Sequence, residues 1–518
     1  MRKIVLNKNR YVDSVSLMSI GDRVKKLEGV HDVEVAMGTP ANMEIITELG
    51  FDLPGDISPN DLVIAVSCDT EAQVESSLKL VDDILNHKVD GEEQVTIYHS
   101  LDDIDLAKDP YDLVQISLPG EYAANEARKA INMGMDVFIF SDNVSLDEEL
   151  ELKQLGVEKG CLVMGPDCGV GLIGGVALAA GSIVRPGSIG IVGASGSGAQ
   201  EVACIIEKCG YGVSTIIGTG GHDLYPQIGG ISMIEGMKRL EKDPETTVIV
   251  LVSKLADLNV MEKVLTKADL LSKPVVAVFL GSDEKLFQNH KTHGTFSLEE
   301  AAIEAVRLVS GKTPAFGFTE EQLREIIKQE MLHFTPEQKY FRGIYCGGTF
   351  TEEGLIYFSQ HNRGVPLYSN LKNRYSIKLD SHLVSKENSI LDLGSEDFTE
   401  DAPHPVFDPS IRLKRFYKEI EDPEVAVILL DFITGPGVHE DPITPFVRAY
   451  EKEVVGKGRS VTVITSICGS LEDPQNIVEK ADLLRNAGII VTDSNYQSTR
   501  LASALMEELA KRSKCYGK

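Results

Sequence analysis

Ile189-Gly190-Ile191-Val192-Gly193-Ala194-Ser195-Gly196-Ser197-Gly198-Ala199-Gln200-Glu201 reads as a strand of branched residues, a turn of small ones and the start of a helix. A strand apolar on both faces belongs to a parallel sheet covered by helices. The plain reading of the turn is a tight connection with Ser195 as N-cap. Its chemistry allows more. Glycine lets the backbone approach a ligand closely. The first amides of a helix have no internal partner, and with the macrodipole they attract an anion. Gly193, Ser195, Gly196, Ser197, Gly198 and Gln200 are therefore candidate anion ligands. A second stretch, Tyr345-Cys346-Gly347-Gly348-Thr349-Phe350-Thr351-Glu352-Glu353, repeats the design and adds Cys346, Gly347, Gly348 and Thr349. Two such starts predict two dipoles aimed at one phosphoryl-like group.

Outward from these stretches the same rhythm recurs. Leu113–Ser117, Val137–Phe140, Leu162–Met164, Val248–Val252, Val275–Leu280, Val425–Leu430, Val461–Ile464 and Ile489–Val491 read as buried strands, with helical patterns between them. Alternation of this kind predicts the α/β class, with several doubly wound parallel-sheet domains. The two stretches also lie in an internal repeat. Asp243–Val252 matches Asp422–Asp431 at six of ten positions. The spacing gives the second copy about 27 extra residues, cheap as a surface insertion. The expected organisation is a small α/β domain over 1–90, possibly ferredoxin-like, then a unit over 91–150. A first repeat copy spans 151–312, a linker helix 313–339 and a second copy 340–518. Within the first domain, Val12–Met18, Val30–Met37 and Leu62–Ser67 are expected strands.

The chain has 518 residues, 51 Lys+Arg against 79 Asp+Glu, and a formal charge of −28. A nucleic acid or an anionic membrane is a poor partner for such a surface. Apolar runs fall far short of the roughly 20 residues that cross a bilayer. The amino-terminal segment loses its apolar character at once, so no signal peptide is expected. Eight cysteines form no C-x-x-C pair, which suits free thiols in the cytoplasm. Neither H-E-x-x-H nor a P-loop occurs, and no metal site is expected.

Further glycine-rich loops follow other strands: Gly165-Pro166-Asp167-Cys168-Gly169, Gly218-Thr219-Gly220-Gly221-His222-Asp223 and Gly435-Pro436-Gly437-Val438-His439. Ligands of open α/β sheets bind at the carboxyl ends of strands. On that ground Gly218, Gly220 and Gly221 join the candidate anion ligands, and Gly165, Pro166 and Cys168 form a further candidate ligand loop. Asp223, His222, His439 and Asp167 are the candidate catalytic groups, since proton transfer needs a titratable side chain near the anion.

Met164–Gly169, Pro186–Gly198 and Lys242–Thr246 resemble the α subunit of succinyl-CoA synthetase and related NDP-forming acyl-CoA synthetases. Ile116–Ala124, Phe140-Ser141-Asp142-Asn143-Val144-Ser145 and Ile217–Asp223 resemble the FdrA family more specifically, over nearly the whole chain. The resemblance implies a Rossmann-like CoA-binding-type region over 91–150 and two flavodoxin-like ligase-type domains after it. It also implies a ligand loop at Asn143.

In the synthetases a histidine carries phosphate, within a His-Ala-Gly loop and beside a glutamate of a Gly-Glu pair. This chain has His290-Lys291-Thr292-His293-Gly294 and Ser253-Lys254 in those places. The departures predict no obligatory cofactor and speak against CoA and nucleotide, leaving carbamoyl phosphate and phosphate as substrates. The resemblance then implies an FdrA-like subunit of an oxamate-type carbamoyltransferase in ureide catabolism, with two further chains of its operon type as partners. The alternatives are an NDP-forming acyl-CoA synthetase subunit, phosphorylated on His290 or His293, and a non-catalytic scaffold or regulatory subunit.

Overall fold

The structure is a computed structural model that describes the chain apart from residues 13, 28, 56, 86–97, 99, 109, 255, 401 and 517–518. It separates into two compact units, Met1–Asp105 and Leu106–Lys518.

The first unit contains β1 (Arg2–Asn7), α1 (Ser14–Lys25), β2 (Val30–Met37), α2 (Pro40–Glu48), β3 (Leu62–Cys68) and α3 (Glu71–Leu85). Its antiparallel sheet has the order β1-β3-β2, and the central β3 is buried along its whole length. Val12–Met18 is not the strand expected of it. Leu17, Ile20 and Val24 recur at helical spacing and bury one face of α1 against β3, so the helical period overrides the local Val content. The first strand is Arg2–Asn7 instead. The boundary expected at 90/91 lies outside the described residues.

The second unit opens with β4 (Leu113–Ile116), α4 (Gly120–Asn132), β5 (Asp136–Ile139), α5 (Leu146–Lys159) and β6 (Val163–Met164), a parallel three-stranded Rossmann-like sheet. This sheet runs past residue 150, because Val163 pairs with Val137.

The next sheet holds β7 (Val170–Ile173), β8 (Val176–Ala179), β9 (Pro186–Gly193), β10 (Val213–Gly218), β11 (Val248–Ser253), β12 (Val275–Phe279) and β13 (His293–Thr295). Its helices are α6 (Gly196–Lys208), α7 (Ile231–Lys242), α8 (Leu258–Ala268) and α9 (Leu298–Ser310). The order is β13-β12-β11-β9-β10-β7-β8, parallel except for the β7-β8 hairpin at one edge.

A single helix, α10 (Glu320–Glu330), follows. It is shorter than the helix expected over 313–339, and it is docked rather than free. Leu323 is buried, Arg500 pairs with Glu320, and Thr462 Oγ1 donates to Glu330 at 2.6 Å.

The last sheet holds β14 (Tyr340–Tyr345), β15 (Leu367–Ser369), β16 (Ile377–Lys378), β17 (Asn388–Asp392), β18 (Val425–Ile433), β19 (Thr462–Cys468) and β20 (Ile490–Thr492). It is parallel throughout, in the order β16-β15-β17-β14-β18-β19-β20. Helices α11 (Gly348–His361), α12 (Glu396–Thr399), α13 (Ser410–Glu421), α14 (Thr444–Tyr450), α15 (Ile477–Ala487) and α16 (Asn495–Tyr516) surround it.

The centres of the two seven-stranded sheets have one topology. β13-β12-β11-β9-β10 corresponds strand by strand to β20-β19-β18-β14-β17, the flavodoxin-like order. The extra edge strands β15 and β16 fall between α11 and β17, where the second copy carries its added residues. One hydrophobic cluster runs through both copies, with α6 and α9 of the first against α11 and α16 of the second. That packing faces the starts of α6 and α11 towards each other.

Candidate active site at two facing helix starts

Ser195 leaves the end of β9 in extended conformation and caps α6, its hydroxyl accepting from Gly198 N at 3.1 Å. The same hydroxyl lies 2.5 Å from Thr349 Oγ1, in the first turn of α11. Both residues are buried. Gly198 is required there, because a Cβ would stand 2.6 Å from Ser195 Oγ and 3.1 Å from Thr349 Cγ2. The two glycine-rich starts therefore meet. Among the described residues, no hydrogen bond uses the amides of Gly196, Ser197, Gly348 or Thr349.

The second loop is only partly open to a ligand. Asp431, on β18, accepts from Cys346 N and Gly347 N at 2.9 Å each and from the Cys346 thiol at 3.3 Å, and Arg412 holds it at 2.7 Å. Cys346 and Gly347 are thus saturated by a carboxylate of the chain itself, which corrects their expected place among the anion ligands. Burial beside Asp431 pushes the Cys346 thiol well above its usual range, so it is no nucleophile at neutral pH.

Gly348 stays accessible and borders two charged groups that the sequence reading did not single out. A Cβ built on it would lie 2.8 Å from Asp392 Oδ2 and 2.9 Å from Lys254 Nζ. Lys254 follows β11 and is exposed, with no ion pair among the described residues. Asp392 ends β17, and its Oδ1 accepts from Gly394 N at 2.9 Å. Burial raises this carboxyl to about 6, with Lys254 acting to lower it and Asp431 and Asp397 to raise it. A signal for both existed in the sequence, since each stands directly at the end of a buried strand.

The loops Gly165–Cys168 and Gly218–Gly221 pack on one another. A Cβ on Gly220, whose φ is +84°, would stand 2.2 Å from Pro166 O, and one on Gly218 2.4 Å from Cys168 Sγ. Gly165 sits as tightly, 2.3 Å from Ile139 O. Cys168 is buried and its thiol is pushed up to about 12, which leaves it structural. Asn143, with φ +56°, packs its carbonyl against Gly120. Thr219 N donates to Gly193 O at 2.8 Å and so ties the His222 loop to the strand that carries Ser195.

The candidate catalytic groups part company. His222 faces Glu149, Nδ1 to Oε2 at 3.3 Å, and lies against Tyr225. Asp167 is exposed and lies in the field of His222 and Lys254. Asp223, by contrast, is fully buried. It accepts from Ser232 N and Met233 N at 3.1 and 2.9 Å, at the start of α7, and from Lys153 Nζ at 2.8 Å. A carboxylate so occupied is a helix cap and counter-ion, which corrects its expected catalytic role. His439 belongs to another loop, where its Nδ1 accepts from Asp441 N at 3.0 Å and its carbonyl accepts from Gln475. Gln200 is also structural, with its amide donating to Ser182 Oγ at 2.7 Å and to Thr434 O at 2.8 Å.

His290 and His293, the places of a carried phosphate, are engaged elsewhere. His290 lies between Asp269 at 2.7 Å and Glu262 at 3.1 Å, and His293 pairs with Glu304 at 2.8 Å.

Comparison with known proteins agrees with the fold. Residues 1–98 match the family described as AllF, heavy metal-associated domain; residues 184–281 match the CoA binding domain and residues 344–505 the CoA-ligase. The chain is 37% identical to the uncharacterized protein YahF of Escherichia coli K12, over 96% of this chain and 98% of that one. It is 30% identical to the ADP-forming sulfoacetate-CoA ligase subunit SqwL of an Acholeplasma species, over 36% of this chain and 64% of the subunit. To the succinate–CoA ligase [ADP-forming] subunit alpha 2 of Archaeoglobus fulgidus it is 30% identical, over 32% of this chain and 58% of the subunit.

The matches to a CoA binding domain and a CoA-ligase overturn the expectation against CoA and nucleotide. The CoA binding match falls on the first repeat copy, not on 91–150. The fit to a heavy metal is poor. Residues 1–98 contain one cysteine, Cys68, which is buried with its sulfur 3.8 Å from Ser77 Oγ, so this segment has no pair of thiolates for a soft metal. Among the described residues no cluster of His, Cys, Asp or Glu is fit to hold a metal, and no helix is long and apolar enough to cross a membrane.

Proposed function

Because the chain belongs to the family of Escherichia coli YahF, within the superfamily of succinyl-CoA-synthetase-like, NDP-forming acyl-CoA ligases, we propose that it is the ligase subunit that holds an acyl phosphate between two helix starts. The observation that carries this reading is the 2.5 Å approach of Ser195 Oγ and Thr349 Oγ1, which brings the starts of α6 and α11 together. The free amides of Gly196, Ser197, Gly348 and Thr349 receive the phosphate, and Lys254 adds the charge that a chain of −28 otherwise lacks. Such donors are most effective where water is excluded and charge develops in the transition state. CoA is the acceptor of the acyl group, with its thiol directed at the same place.

The ligase relatives are subunits by name, so partner chains complete the nucleotide site. The test is the chain co-purified with those partners and given CoA, ATP and a panel of small carboxylic acids. Acid-dependent formation of thioester and ADP supports the reading; neither product with any acid sinks it.

Carbamoyl transfer is the second reading. It is favoured by the FdrA-like loop Ile217–Asp223, which brings His222 to the site's edge, and by the ion pairs that occupy His290 and His293. Carbamoyl phosphate is a mixed anhydride of the same kind as an acyl phosphate. An FdrA-like subunit with two further chains would release carbamoyl phosphate from oxalurate and phosphate, and failure to do so removes this reading alone.

A further inference from the structure

We propose that His222 Nε2 is the general base of the transfer, and that Glu149, fixed by the buried Lys153, is the positioning residue that orients it. The inference rests on the reading above and supplies the group that reading lacks, a base for the acceptor. His222 sits on the loop after β10, at the same sheet edge as the Ser195 turn, because β10 and β9 are parallel neighbours with Gly218 opposite Gly193. Its Nδ1 is taken by Glu149 at 3.3 Å, and among the described residues Nε2 has no hydrogen bond. An imidazole held through Nδ1 keeps its proton there and presents a lone pair at Nε2. A base oriented by a third group is the arrangement that activates nucleophiles generally.

The support behind Glu149 is unusually firm. Glu149, Lys153 and Asp223 are all at or below 1% exposure, and Lys153 Nζ reaches Glu149 at 2.7 Å and Asp223 at 2.8 Å. Asp223 is in turn pinned to the start of α7. Lys153 is thus the buried counter-ion shared by the two carboxylates. Tyr225 lies beside the ring, 4.8 Å between centroids, and limits its rotation. The charged groups facing His222 are Glu149, Asp167 and Lys153. The hydrogen bond to Glu149 is the largest effect and raises the imidazole above its ordinary value.

In the transfer, the acceptor's S–H proton passes to Nε2 as the sulfur electron pair forms the bond to the acyl carbon. The bond from that carbon to the phosphate oxygen breaks, its electron pair leaves on phosphate, and phosphate recovers the proton from the imidazolium. Glu149 never exchanges the proton and only holds the ring.

The test is the full chain with its partners, with histidine rings labelled for NMR and His222 assigned through His222→Gln. The wild-type ring is expected to titrate above 6.5, and the acidic limb of kcat/KM to rise with the same midpoint. Glu149→Gln is expected to lower both midpoints together by about one pH unit, a tenfold loss in proton affinity. His222→Gln is expected to remove the limb and cost at least about a hundredfold in rate, within the usual range for a general base. A ring midpoint that moves while the rate limb stays overturns the assignment, as does a His222→Gln enzyme with an undiminished rate. If Glu149→Gln fails to fold, the agreement of ring and rate midpoints in the wild type decides the matter. A wild type that shows the raised ring but transfers no acyl group to any acceptor overturns the proposed function and the base together, and leaves only the Glu149–His222 pair.

Discussion

Glu353 Oε1 accepts the hydrogen bond of Leu298 N at 3.0 Å, so a residue of the second repeat copy caps the helix α9 of the first. The reverse also holds. Glu201, the repeat equivalent of Glu353, accepts from Asn495 N at 3.0 Å at the start of α16. The two copies are thus joined by a reciprocal exchange of capping carboxyl groups, buried beside Glu299. Burial pushes Glu353 up to about 8 and Glu299 to about 7, and also raises Glu201. These groups are near 4.5 when unfolded, so the unfolded chain gives up their protons first. Folding stability is therefore expected to fall as pH rises from about 5 to about 8, by roughly 1 kcal/mol per pH unit for each group still protonated in the fold. Urea unfolding at a series of pH values checks this, and Glu299→Gln is expected to flatten the slope. A stability that climbs steadily across that range would contradict the burial of uncharged acids.

The Ser195–Thr349 contact has consequences that separate folding from binding. Ser195→Ala removes a helix cap and is expected to cost about 1 kcal/mol of stability. Thr349→Val leaves the cap in place and removes only the cross-copy hydroxyl, so it should cost less in stability but weaken phosphate binding. Denaturation and calorimetry with inorganic phosphate measure the two effects. Equal loss of affinity in Ser195→Ala, Thr349→Val and a distant surface variant would separate the helix starts from ligand binding.

How far the sequence carried can be seen at particular residues. The strand–turn–helix at Ile189–Glu201 is local, and so is the match of Asp243–Val252 to Asp422–Asp431; both project directly into the paired parallel sheets. The two helix starts are each legible locally, and the fold sets Ser195 Oγ 2.5 Å from Thr349 Oγ1. Occupancy was not legible in the same way. Cys346 and Gly347 look like free amides until Asp431, 85 and 84 residues later, is folded onto them. Asp223 looks like a loop acid until Lys153, 70 residues earlier, is packed beneath it. Composition at a loop states which donors exist, and only long-range packing states which are already spent. Val12–Met18 failed for a different reason: a short apolar segment fits either period, and burial of Leu17, Ile20 and Val24 on one face chose the helix.

Lys254 follows β11 directly, and its exposure makes it a clean probe. Lys254→Ala is expected to change stability by no more than about 0.5 kcal/mol, as for other surface substitutions. Loss of a charge-assisted contact to phosphate is expected to weaken binding about tenfold or more. Lys254→Glu should weaken it further, by adding repulsion to the loss. Calorimetry with phosphate gives the affinity and a thermal melt the stability. An unaltered affinity in Lys254→Glu would remove Lys254 from the site.

Asp223 and His222 are adjacent in sequence and should behave as opposites. Asp223→Asn leaves Lys153 buried with Glu149 as its one full counter-charge and deprives the start of α7 of its cap. Breaking a buried ion pair from one side typically costs about 3–5 kcal/mol. The expected phenotype is a large loss of stability in urea, with residual activity following the folded fraction. His222→Gln removes a half-exposed ring from the edge of the same network and should melt within about 1 kcal/mol of the wild type, while the rate falls. Measuring unfolding and turnover on both variants distinguishes a supporting acid from a working base. If Asp223→Asn folded normally and lost its activity, Asp223 would return to the catalytic set and the packing argument built on Lys153 would fail.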